Sequence, residues 1–157
     1  MPQLSMHSPL GDLTLTEEDG AIVALDWGWG RDQDETHLLR AACDRLDAYF
    51  DGAADDFSDL VLAPYGTPYR RAVWQALRAI PPGQTRTYRD IAQVAGGSPR
   101  SVGQANGANP IPILIPCHRV VAARGLGGYS GDGGLADKLY LLELERAPIP
   151  AHPADLF

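Results

Sequence analysis

The sequence predicts an α/β protein: a small N-terminal α+β lobe, built from a hairpin or small sheet plus one helix, then a mainly helical lobe with a helix-turn-helix and a candidate reactive cysteine. Three observations predict it. Period-two alternation is confined to the first 30 residues or so. Helical spacing dominates after residue 64. The charge balance changes sign at the same place.

Residues 1–63 hold three arginines against 14 acids, a net of −11, and residues 64–157 hold ten basic against six acidic groups, a net of +4. The net of −7 for all 157 residues argues against a polyanion partner, but the basic half alone argues for one. The bland alternative is a solvated acidic lobe without functional meaning, and charge leaves both open. Two units are expected, residues 1–63 and residues 64–157.

Residues 11–27 read as a β-hairpin. Leu13 and Leu15 alternate with Asp12, Thr14 and Thr16, Asp19-Gly20 supplies the turn, and Ala21 to Leu25 returns. Residues 34–50 read as a helix, with Leu38, Leu39, Ala42, Leu46, Tyr49 and Phe50 at helical spacing and Gly52 as the stop. Residues 57–62 suit a third strand, and Ala63-Pro64-Tyr65-Gly66 reads as a linker.

The second unit opens on a capped helix: Thr67 caps it, Pro68 takes its first position, and Pro81-Pro82-Gly83 ends it. Thr87 caps a short second helix that Gly96-Gly97 breaks, and Ser98 caps a third over residues 98–108. Short helices joined by a glycine turn form a helix-turn-helix pattern. The third helix is unusual in carrying Gly103 and Gly107, since each interior glycine costs about 0.8–1 kcal/mol relative to alanine. Such a helix suits close approach to a neighbour, either another helix or a groove wall.

Pro110, Pro112 and Pro116 then forbid a helix and predict an extended, buried path into Cys117-His118-Arg119-Val120-Val121. A glycine-rich loop spans residues 124–134, and a final helix is expected over residues 135–146.

Several function classes are disfavoured. No window approaches the roughly 18 apolar residues a membrane span needs. The N-terminus has no basic start followed by an apolar run, so a cytoplasmic location is expected; a monomer is the expected oligomeric state. Two cysteines and four histidines without paired ligand spacing predict no metal site.

A cysteine reacts as its thiolate, and a free thiol titrates near about 8.5. His118 follows Cys117 directly and is a candidate proton acceptor, although neighbours on an extended strand point to opposite faces. A turn at Cys117 or a bridging water would join them. Glu143 and Glu145 are both candidates to orient the imidazole. Taken alone, Cys117 reads as a small buried hydrophobe.

Its surroundings change that reading. Asn109-Pro110-Ile111-Pro112, followed by Pro116-Cys117-His118-Arg119-Val120, resembles the active-site signature of the O6-alkylguanine-DNA alkyltransferases. The resemblance extends through the helix-turn-helix, the Tyr129-Ser130-Gly131 loop and the terminal Leu-Leu-Glu-Leu-Glu helix. It implies single-turnover transfer of an alkyl group from O6-alkylguanine, flipped out of duplex DNA, to Cys117, with O4-alkylthymine as a further candidate substrate and no cofactor. It also implies a relay from Cys117 through His118 to Glu145, with Asn109 organising the turn before the cysteine. Tyr88, Ser130 and Val120 would contact the guanine. Arg100 would fill the space of the extruded base, and Ser101, Gly103 and Gln104 would join Tyr88 and Arg100 at the DNA. Lys138 matches a basic residue beside the active-site loop. Without the resemblance, Tyr88 reads as a core aromatic and Arg100 and Lys138 as solvated charges. The alternative functions are a non-catalytic lesion-binding protein of the alkyltransferase-like kind, which would lack the acceptor cysteine, and a cysteine hydrolase, which would leave the basic lobe unexplained.

Overall fold

The computed structural model describes residues 1–129 and 133–149. Strands β1 (Gln3–Met6), β2 (Leu13–Glu18) and β3 (Ala21–Trp27) form an antiparallel sheet in that order. At the hairpin Asp19 (φ 50°) and Gly20 (φ 79°) both take positive φ, the requirement of a tight turn that follows strand twist. β1 was not anticipated, because it is four residues long and has no turn signal before it. Pairing defines it: Leu4 opposes Leu15 and Met6 opposes Leu13.

Helix α1 (His37–Phe50) covers the sheet. It starts three residues later than expected because Thr36 is the cap, its Oγ1 accepting the Leu39 N–H at 3.1 Å. Leu39 and Leu46 are fully buried, each contributing about 1.5–3 kcal/mol relative to exposure. The expected strand over residues 57–62 does not form. Phe57 takes φ 54° and its carbonyl accepts from the Leu60 N–H, so the chain turns there. Only a bridge between Ile22 and Leu62 joins this segment to the sheet.

In the second unit α2 (Pro68–Arg78), α3 (Tyr88–Ala95) and α4 (Pro99–Gly107) start at their expected caps. Thr87 with Asp90, and Ser98 with Ser101, form reciprocal capping boxes. The turn from α3 to α4 is pinned by Tyr69, whose hydroxyl meets the Gly96 carbonyl at 2.9 Å and Ser101 Oγ at 2.8 Å. Gly97 (φ 76°) is required here, since a Cβ would fall 2.4 Å from both hydroxyls. Trp74 Nε1 donates to the Ala105 carbonyl at 2.8 Å and fixes α4 on α2.

The proline-rich run is not extended as expected. The Ile115 N–H donates to the Ile111 carbonyl at 2.9 Å, and buried Ile113 sits at φ 74°. Positive φ is strained for a β-branched residue, and the apolar packing around Ile113 overrides that strain. Cys117–Arg119 then form a single 3₁₀ turn, followed by β5 (Val120–Val121), which pairs in parallel with β4 (Arg86–Thr87). Helix α5 (Gly134–Leu144) stops two residues short of the expectation, because Glu145 is its cap and Arg146 leaves the helix at φ 57°.

One apolar core runs through both units, from Leu4 and Leu46 to Trp74, Ile111 and Leu141. Among the described residues, no helix is long and apolar enough to cross a membrane.

Candidate active site

Cys117 lies at the start of the 3₁₀ turn, 1% exposed. The turn answers the geometric objection raised by an extended strand, because residues 117, 118 and 119 no longer alternate faces. The Asn109 amide reaches both flanks of the Ile113 turn: Oδ1 accepts the Ile111 N–H at 2.9 Å and Nδ2 donates to the Ile115 carbonyl at 2.8 Å. The Cys117 carbonyl accepts from Asn106 Nδ2 at 3.3 Å.

Burial pushes the Cys117 thiol above its ordinary range. Against this act the Asn109 amide, the Lys138 charge and the backbone N–H of Ile113, all of which favour the anion. Lys138 itself is pulled down to about 8 by burial. Its Nζ donates to the Val120 carbonyl at 2.6 Å and the Gly128 carbonyl at 2.9 Å, so it ties α5 to both β5 and the glycine-rich loop.

His118 is fully buried and its Nε2 lies 2.8 Å from Glu145 Oε2. Burial lowers its pKa, Arg119 and Lys138 lower it further, and Glu145 opposes them without prevailing. The ring is therefore neutral near pH 7, with the Nε2 proton donated to the carboxylate and a lone pair at Nδ1. Nδ1 is buried and has no partner among the described residues. Burial would raise the Glu145 carboxyl, but bonds from His118 and Arg119 hold it well below the usual carboxylate range. Arg119 grips it with two bonds, Nε to Oε1 at 2.9 Å and Nη2 to Oε2 at 2.8 Å, and spans to the Ile80 carbonyl with Nη1 at 2.7 Å. Glu143 is exposed, so Glu145 is the acid against His118.

Cys117 opens onto a pocket of about 210 Å³ between α4 and the glycine-rich loop, walled by Tyr88, Gly103, Asn106, Gly128 and Tyr129. Two buried polar atoms on this wall's residues, Asn106 Oδ1 and the Tyr129 hydroxyl, have no partner among the described residues. The Tyr88 ring lies against Gly103, where a Cβ would touch it at 3.8 Å, and its hydroxyl accepts the Gly128 N–H at 3.2 Å.

The family profile described as 6-O-methylguanine DNA methyltransferase, DNA binding domain, matches residues 68–147. The profile for the ribonuclease-like domain of the same methyltransferase matches residues 4–64. The chain belongs to the 6-O-methylguanine DNA methyltransferase family. The methylated-DNA–protein-cysteine methyltransferase of Metallosphaera sedula is 43% identical over 144 residues, spanning 90% of this chain and 91% of that protein. The Methanosarcina barkeri protein of the same name is 43% identical over 153 residues, spanning 90% and 94%. Among solved structures, Mycobacterium tuberculosis OGT in complex with DNA superposes with a TM-score of 0.81 at 38% identity, covering 99% of this chain and 98% of that one.

Within this methyltransferase fold the sequence-selected residues divide into groups. Cys117, His118, Glu145 and Asn109 converge on the buried turn, and Tyr88 and Gly103 line the pocket above it. Val120 is buried in β5, and the atom it offers is a carbonyl already bonded to Lys138. Arg100 and Gln104 are exposed on α4, whereas Ser101 uses its hydroxyl within the turn, toward Ser98 and Tyr69. Ser130 lies outside the described residues. Arg119, Asn106 and Tyr129 were not selected from sequence. For Arg119 a signal existed, since an arginine in an otherwise apolar stretch needs a buried carboxylate partner.

Proposed function

We propose that this protein repairs DNA by direct reversal, moving the alkyl group of an O6-alkylguanine to Cys117 in one irreversible step. O4-alkylthymine is a second candidate substrate. The observation that carries this reading is a buried cysteine lining a pocket, followed in the chain by a buried histidine whose Nε2 lies 2.8 Å from a buried carboxylate.

The target atom lies inside a duplex, so the nucleotide leaves the stack and enters the pocket under Tyr88. The small-residue face of α4, with Gly103, approaches the minor groove, and Arg100 takes the space of the extruded base. Gln104, beside Arg100 on the exposed face of α4, faces the DNA as well. His118 Nδ1 accepts the Cys117 proton through a bridging water. The thiolate attacks the alkyl carbon in line, the S–C bond forms as the C–O6 bond breaks, and the electron pair leaves with guanine, which takes up one proton. Hydrogen bonds from Tyr88 and Ser130 make guanine the better leaving group. The product is a thioether and unmodified guanine. No group among the described residues of this site can hydrolyse a thioether, so each chain reacts once. The basic half (residues 64–157) carries the DNA contacts, and the acidic half (residues 1–63) supports the site from behind. The protein acts as a cytoplasmic monomer.

Mass spectrometry after mixing with an O6-methylguanine duplex tests this. One addition of about 14 Da, on Cys117 alone, is expected per chain. Folded protein without an adduct would sink the reading. Cys117→Ser should bind the duplex and stay unmodified.

A further inference from the structure

Glu145 Oε2 accepts from three donors: His118 Nε2 at 2.8 Å, Arg119 Nη2 at 2.8 Å and the Tyr49 hydroxyl at 2.5 Å. Tyr49 belongs to α1, in the opposite lobe and 96 residues away along the chain. It is 2% exposed, and its ring packs edge-on against Phe50 and Phe57 at centroid distances of 5.4 and 5.5 Å. A carboxylate oxygen offers about two lone-pair sites, so three donors on Oε2 compete. Arg119 is anchored independently through Oε1 and the Ile80 carbonyl. The competition therefore falls between Tyr49 and His118.

We propose that Tyr49 is a positioning residue of the alkyl-transfer relay: its hydroxyl, donated to the oxygen that accepts the His118 Nε2 proton, sets how strongly Glu145 draws on His118. The inference rests on Cys117 being the acceptor and His118 its base. Through this bond the N-terminal lobe reaches the chemistry without touching DNA or substrate. With the phenol in place, Glu145 orients the imidazole but attracts its proton weakly, and Nδ1 stays free to take the thiol proton. The groups facing Glu145 are Tyr49 from α1 and His118 and Arg119 from the 3₁₀ turn. The charges of Arg119 and of Lys138 on α5 act on His118, and the Tyr129 phenol acts on Tyr49.

The test is the pH dependence of single-turnover transfer from an O6-methylguanine duplex. Tyr49→Phe keeps the aromatic packing and removes the competitor. The bond from His118 then strengthens, its protonated form is favoured, and the acid limb should move up by about half to one pH unit, with the alkaline plateau within about twofold of wild type. Replacing Tyr49 with 3-fluorotyrosine, a more acidic phenol and stronger donor, keeps every contact and should move the limb down. A uniform loss of rate at all pH values, with no shift in the fluorinated protein, overturns the proposal. So does an unmoved limb in both. If Tyr49→Phe does not fold, the fluorinated protein alone decides. NMR titration of the His118 ring in Cys117→Ser protein, with and without the change at Tyr49, reads the same shift without any transfer. Failure of wild type to react would thus count against Cys117 chemistry and not against the Tyr49 bond.

Discussion

The Lys138 ammonium and the Val120 carbonyl lie 2.6 Å apart, and the same nitrogen holds the Gly128 carbonyl at 2.9 Å. One buried cation thus joins the segment after Cys117 to the loop that walls its pocket. Lys138→Met keeps the length of the side chain and removes both bonds. The rate of transfer to Cys117 should fall about tenfold, the equivalent of one to two hydrogen bonds, while circular dichroism stays unchanged. An unaltered single-turnover rate would show that the loop needs no such tie.

Gly127 lies at φ 74°, and a Cβ there would fall 2.5 Å from the Tyr88 hydroxyl. Gly127→Ala therefore displaces either the loop or the tyrosine. A loss of about 1–2 kcal/mol in denaturant unfolding is expected, together with a drop of at least about tenfold in transfer. Gly103→Ala provides the contrast. Its Cβ would meet Tyr88 at ordinary contact distance, 3.8 Å, so the fold should be unaffected.

Glu145→Gln should cost about 3 kcal/mol at neutral pH, since it leaves Arg119 buried without its anion. The cost depends on pH with a definite sign. The folded carboxyl titrates below its ordinary 4.5, so as pH falls the unfolded chain takes up the proton first and the stabilisation is lost from about 4.5 downward. His118, also depressed on folding, acts in the same direction from about 6.5 downward. Urea melts of wild type and Glu145→Gln across this range should converge at acid pH. Parallel curves would show that the carboxylate is not the group responsible.

Arg100 stands exposed in the first turn of α4 and makes no hydrogen bond or ion pair among the described residues. Arg100→Ala should leave thermal stability within about 0.5 kcal/mol. Transfer from duplex should fall while transfer from the free alkylated base is unchanged. Equal losses on both substrates would place the arginine elsewhere in the reaction.

Local chemistry made much of this molecule readable in advance. Asp19-Gly20, Thr67-Pro68, Thr87 and Ser98 each determine a boundary through their own side chains or φ angles, and each stands where expected. The failures share a cause. β1 exists because β2 lies beside it, residues 57–62 turn at Phe57, and Ile113 enters the left-handed region because the core around it requires that path. Such features are set by tertiary packing, which overrides local preference. In the site, Cys117 and His118 are adjacent in sequence and could be read together. Tyr49 could not, because its partner lies in the other lobe and nothing in its helical spacing separates it from Leu46 or Phe50.

The two-residue pairing of β4 with β5 fixes the separation between Tyr88, which follows one strand, and Cys117, which precedes the other by three residues. Backbone hydrogen bonds, not loop conformations, determine that span. The protein therefore has little capacity to reach for its target, and the work of deformation falls on the nucleic acid. Lesions in weakly stacked or mispaired surroundings should reach the thiol soonest, so that the helix's own local melting, more than any base-specific contact, ranks the order in which damaged sites are cleared.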